Sequence, residues 1–134
     1  MTQKNKELLL KDLCARLPYG VKIKTSYNKI DEPIELIFIN PRNESFAIGS
    51  SFTITSGLSF DIYECKPYLF PLSSMTKEEL REYNYLYSER ENNNEGDDIE
   101  QYSDLIDWFN KNHFDYRGLI PMGLAIDATG LNIY

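Results

Sequence analysis

A chain of 134 residues and 15.6 kDa has room for one hydrophobic core, so a single domain over 1–134 is the expectation. Hydrophobic residues make up 42% and charged residues 26%, against 7 Gly and 6 Pro, which excludes a disordered or fibrous chain. The net charge of -7 argues against general affinity for nucleic acid, and no run approaches the roughly 18 apolar residues of a membrane span.

The start, MTQKNKELLLKDL, lacks the apolar stretch of a secretory signal, so a soluble cytoplasmic protein is expected. Cys14 and Cys65 fit neither a disulfide framework nor a CxxC metal site and read as free thiols. The charge is unevenly spread. Residues 88–107 hold eight acidic side chains against the single Arg90, which equals the whole imbalance, while residues 1–29 hold seven basic against two acidic.

Leu10, Leu13, Cys14 and Leu17 fall at i, i+3, i+4 and i+7, which predicts an amphipathic helix over 3–17 with Cys14 in its buried stripe. Pro18 and Gly20 end it. From Val21 the period becomes two, and further strand-like runs follow at 34–39, 45–48, 52–55 and 58–63. Asn40-Pro41-Arg42-Asn43, Gly49-Ser50 and Ser56-Gly57 are the turns between them. In residues 66–75, Pro67 and Pro71 remove two donors and hold the chain extended. Thr76 and Glu79 then form a capping box, with Met75 placed to staple onto Leu80. A helix over 77–90 follows, with Leu80, Tyr83 and Tyr87 as its apolar stripe. Residues 91–97 contain no apolar side chain and are expected to form a flexible acidic loop. Asp97 or Asp98 caps a third helix over 99–112, with Tyr102, Leu105, Ile106 and Phe109 at helical spacing. The last twenty residues, broken by Gly118, Pro121, Gly123 and Gly130, read as turns and short pieces.

Three phrases, LCARLPYGVKI at 13–23, KPYLFPLSSMT at 66–76 and DWFNKNHFDYRGLIPMGLAI at 107–126, resemble an uncharacterised family of short proteins from gut-bacterial genomes and their phages. The likeness frames nearly the whole chain. Residues 24–65 are its variable middle, the Asn-rich acidic loop is longer than in the family, and the ending DATGLNIY departs from it. The resemblance implies a mobile-element setting and small regulatory or counter-defence roles. It implies no activity, ligand or catalytic residue.

No motif assigns a reaction. An EF-hand register with Gly96 at position 6 puts Tyr102 where a bidentate Glu is required, so the acidic run reads as a solvated surface with no metal. His113 is the single histidine, and a Cys–His pair would have to draw on a stripe cysteine or on Cys65 beside Glu64. Phosphate loops, GxSxG and HExxH are missing. His113, Asp115, Tyr116 and Arg117 form a compact polar group that reads first as a structural knot closing the third helix and second as a ligand-orienting set. Tyr83 and Tyr87 share a helix face, which leaves Tyr85 as the exposed aromatic.

Together these features predict an α+β domain with an N-terminal helix, an antiparallel meander of four to five strands that could close into an SH3-like barrel, and two C-terminal helices. The leading functional expectation is a non-catalytic phage or mobile-element accessory protein. It would bind a host protein through a surface of Tyr85, Glu89, Glu91, Glu95, Asp97, Asp98 and Glu100, without a cofactor. Two alternatives stand beside it: a nucleic-acid-binding barrel using the basic N-terminal pole, and a small-molecule binder or an enzyme of unknown class.

Overall fold

The computed structural model describes residues 2–25, 32–40, 42, 45–48, 60–92 and 98–134. Thr2 opens the first helix, α1 (Gln3–Arg16), by accepting a hydrogen bond from the Asn5 amide at 3.2 Å. The buried face of α1 is Leu9, Asp12, Leu13 and Arg16, one position away from the expected stripe. Cys14 is therefore exposed, which corrects its predicted burial. The cause is the opposite charge of Asp12 and Arg16, which meet at 2.8 Å and can enter the interior as a pair, turning the helix so that Cys14 faces out. The residual desolvation of Cys14 still raises its thiol pKa, so the thiol stays protonated at neutral pH.

A 3₁₀ turn, Leu17–Tyr19, ends at Gly20 with φ 72°. An added Cβ there would lie 2.9 Å from Glu35 Oε1, so glycine serves both the left-handed turn and the close approach. The sheet follows as β1 (Lys22–Thr25), β2 (Ile34–Asn40), β3 (Ser45–Ile48), β4 (Phe60–Asp61), β5 (Cys65–Leu69) and β6 (Ile126–Asp127). Its order is β4-β3-β2-β1-β5-β6. The α+β class is as expected. Strands β1 to β4 pair consecutively and antiparallel, as a meander does, but the sheet as a whole is mixed, because β5 and β6 pair in parallel, Tyr68 opposite Ile126. The described strands do not join β4 to β6 as barrel closure would require: the sheet is open, with those two strands at its edges. The predicted run 52–55 lies outside the described residues.

The first part of the segment 66–75, read only as extended, belongs to β5 (Cys65–Leu69), an inner strand of the sheet. Pro67 has no N–H to give, and the pairing with β6 begins one residue later, at Tyr68. The proline thus has a neighbouring strand opposite it on the β1 side alone. The parallel partner is reached through a long helical crossover, as parallel pairs require.

That crossover is α2 (Lys77–Asn92) and α3 (Asp98–Lys111). The capping box at the start of α2 is formed: the Glu79 amide donates to Thr76 Oγ1 at 3.1 Å and the Thr76 amide to Glu79 Oε1 at 2.9 Å. Thr76→Ala is expected to cost about 1 kcal/mol in a denaturant melt, and an unshifted midpoint would show the cap to be dispensable. Helix α2 runs two residues into the predicted loop, and residues 93–97 lie outside the described ones. Its inward face is Tyr83 and Leu86, whereas Leu80, expected in the stripe, is exposed.

The main core lies between α1 and one face of the sheet, with Leu9, Leu13, Ile23, Leu36, Cys65 and Leu69 among its members. The other face is covered by the last residues of the chain, where Ala128 and Ile133 pack on Tyr68. A third cluster, built on Leu105, Phe109 and Phe114, seats α2 and α3. None of the described helices is long and apolar enough to cross a membrane.

Candidate functional site

The end of α3 places the first group of candidate residues. The His113 amide donates to Asn110 O at 3.2 Å and the Phe114 amide to Phe109 O at 2.9 Å. This is the bond pattern of a Schellman closure, in which the left-handed position usually belongs to glycine. Here it belongs to His113, with φ 62°. The expected structural knot is present, and its side chains are organised further than the sequence suggested. The Asp115 carboxylate accepts from the Leu119 and Ile120 amides at 2.8 and 2.9 Å, which fixes the following turn. Tyr116 Oη donates to Asn110 Oδ1 at 2.9 Å, and its ring stacks on Phe109. The Arg16 and Arg117 guanidinium groups stand 5.2 and 5.0 Å from the Tyr116 ring centre.

Two residues from α1 complete the group, and sequence reasoning assigned neither to it. Asp12 and Arg16 are both 0% exposed. Arg16 donates to Asp12 Oδ2 at 2.8 Å and to the Phe114 carbonyl at 2.6 Å, tying α1 to the end of α3. Arg117 Nε approaches Asp12 Oδ1 at 3.3 Å as an ion pair without hydrogen-bond geometry. Burial pushes the Asp12 carboxyl pKa up, and the two guanidinium groups oppose that shift. The available signal was an opposite-charge pair at i, i+4 flanking Leu13, a pattern that on most helices marks a solvated face.

His113 is buried against Tyr134, the rings stacked at 3.6 Å and 11°. Burial, then the nearby charges of Arg16 and Lys22, lower its pKa from 6.5 to about 4. The imidazole is therefore neutral at neutral pH. Because its folded pKa lies below the unfolded one, its contribution to stability is full above about pH 6.5 and is lost as pH falls through about 4. We expect a loss on the order of 2 kcal/mol across that window, after allowing for solvent reaching the ring. The raised Asp12 pKa acts in the opposite sense, so the comparison is with His113→Asn, which tolerates the left-handed backbone. Its stability should vary less with pH than the parent's. Parallel pH profiles for the two proteins would refute the assignment.

The second group lies on α2 and α3. Tyr83 packs on Phe109 with ring centres 5.8 Å apart, and Trp108 Nε1 donates to Glu82 Oε2 at 2.8 Å. These contacts pair the helices and leave several large side chains exposed on them: Tyr85 is 62% exposed, Leu80 47%, Tyr102 46% and Ile106 40%. Tyr85 thus sits where the helical spacing put it, beside a cavity of about 380 Å³ lined by Arg81, Glu82, Tyr85, Leu86 and Trp108. Residues 77–111 carry eleven acidic and four basic side chains, which again equals the entire net charge. Of the other surface candidates, Glu89 and Glu91 lie on α2 and Asp98 and Glu100 on α3, while Glu95 and Asp97 fall outside the described residues.

Folding engages part of the basic pole. Arg16 is internal, Lys22 Nζ donates to the Ile133 carbonyl at 2.9 Å, and Lys6 lies over the Tyr63 ring at 4.5 Å. No cluster of His, Cys, Asp and Glu fit to hold a metal ion occurs among the described residues. No protein-family model, curated protein or solved structure matches the chain.

Proposed function

We propose that the chain is a non-catalytic accessory protein of a phage or mobile element that binds a host protein through the outer face of α2 and α3. The observation that carries this reading is the coincidence, within residues 77–111, of exposed Tyr85, Tyr102 and Ile106 with a balance of eleven acidic to four basic side chains, nine of the acidic ones on the two helices themselves. Aromatic side chains give contact area at low entropic cost, and an acidic surround steers a basic partner. The buried network of Asp12, Arg16 and Asp115 serves the fold in this reading. Engagement of Arg16 and Lys22 within the fold leaves fewer free charges for the nucleic-acid alternative.

Affinity capture from host lysate, followed by binding kinetics with the recovered protein, provides the test. Tyr85→Ala is expected to weaken binding at least about 30-fold, the effect of a central interface aromatic. The triple variant Glu95→Gln, Asp97→Asn, Asp98→Asn should associate more slowly at low salt, with the difference closing as ionic strength rises. A partner that binds both variants like the parent would refute the proposed surface.

A further inference from the structure

The ladder between β1 and β5 carries an arrangement of charge that the fold does not require. On β1, Lys22 stands in register with Glu35 of β2, a residue of opposite charge, and its Nζ donates to the Ile133 carbonyl. Two residues on, Lys24 stands directly opposite Lys66 of β5. Residues opposed in this way have Cβ atoms about 5 Å apart, and like charges there repel. Both lysines are exposed, with Ile23, Thr25, Cys65 and Pro67 buried on either side of them. Among the described residues neither ammonium group has an ion pair or a hydrogen bond.

Between them opens a cavity of about 310 Å³, lined by Lys24, Lys66, Tyr63, Glu64 and Ile126. That volume lies in the range of small-molecule sites. Its lining is chemically divided: two ammonium groups, one carboxylate, and Tyr63 and Ile126 as apolar walls. A third ammonium, Lys6 Nζ, lies 4.5 Å from the centre of the Tyr63 ring. Charges further away than about 8 Å are largely screened at physiological ionic strength, so local lysines govern this pocket despite the acidic total.

We propose that this pocket binds a small phosphomonoester with a hydroxyl-bearing body. Two lysines opposed across a ladder suit a phosphate dianion, which relieves their mutual repulsion and accepts from both. The carboxylate of Glu64, already engaged within the fold, only accepts hydrogen bonds, and its further lone pairs select a body carrying hydroxyl donors, as a ribose does. Tyr63 and Ile126 receive the less polar side of that body. A sugar phosphate and a nucleoside monophosphate share this chemistry. The pocket has no residue in common with the cavity on α2 and α3, and the two proposals stand or fall separately.

Calorimetric titration at low ionic strength with adenosine 5′-monophosphate, ribose 5-phosphate, inorganic phosphate and adenosine tests the proposal. Saturable binding of one of the first two is expected, at least tenfold tighter than phosphate or adenosine and at least tenfold weaker in Lys24→Gln and in Lys66→Gln. Preference for the monophosphate over ribose 5-phosphate identifies a nucleotide, and equal binding identifies a sugar phosphate. Because each substitution removes a repulsion, both variants should melt at or above the parent's temperature. Failure of both probes to saturate, equal affinity for inorganic phosphate, unchanged affinity in the lysine variants, or a variant melting well below the parent would each overturn the proposal.

Discussion

Arg16→Met is expected to lower stability by about 3–5 kcal/mol, the cost of leaving a buried charge without its partner. Two consequences add to each other. Asp12, 0% exposed, keeps only the 3.3 Å approach of Arg117. The Phe114 carbonyl loses the donor that holds it at 2.6 Å, which alone costs about 1–3 kcal/mol when the acceptor stays buried. Asp12→Leu should cost a similar amount by stranding Arg16. The double variant Asp12→Leu, Arg16→Met should recover a large part of the loss, since an apolar pair of similar volume can replace a buried ion pair. It will not recover all of it, because the Phe114 carbonyl remains without a donor. Denaturant melts of the four proteins form a double-mutant cycle. Additive losses would mean that the two side chains act independently and that the knot is not a unit.

The same pair explains which parts of the fold could be read from the sequence. Local rules sufficed where one segment determines its own structure. The capping box of Thr76 and Glu79, the strand period beginning at Val21 and the exposure of Tyr85 all follow from spacing within a few residues. They failed where distant segments decide. The burial of Arg16 depends on a carbonyl 98 residues away, and without it the apolar positions of α1 point to Leu10 and Cys14. Strand β6 is two residues long and takes its register from β5, so no periodicity marks it. Residues 65–69 were obscured by Pro67, whose missing donor argues against a strand until the late start of the β6 pairing is known. Of the candidate polar group, His113, Asp115, Tyr116 and Arg117 were visible because they are consecutive or nearly so. Asp12 and Tyr134 were not, because only folding brings them there.

Tyr134→Ala, the second large effect, is expected to cost about 2–3 kcal/mol, below the value for a fully buried aromatic because the residue is 42% exposed. Its hydroxyl accepts from the Lys22 amide at 2.9 Å and donates to the Tyr68 carbonyl at 2.8 Å, joining the last turn to β1 and β5. Burial pushes the phenol pKa well above its ordinary value, so the donor is retained throughout the neutral and mildly alkaline range. Tyr134→Phe removes these two bonds but keeps the ring over His113, and should cost about 1 kcal/mol. The two variants therefore separate hydrogen bonding from stacking. With the ring gone, solvent reaches the imidazole, and the His113 pKa should rise from about 4 toward 6.5. With it in place, as in Tyr134→Phe, the low value should persist. As the folded pKa approaches the unfolded one, the acid-side loss of stability due to His113 shrinks, so Tyr134→Ala should be less stable at neutral pH yet less sensitive between about pH 6.5 and 4. Imidazole proton shifts followed by NMR through that range decide the matter. An unchanged His113 titration in Tyr134→Ala would show that burial by other neighbours, and not the stacked ring, keeps the imidazole neutral.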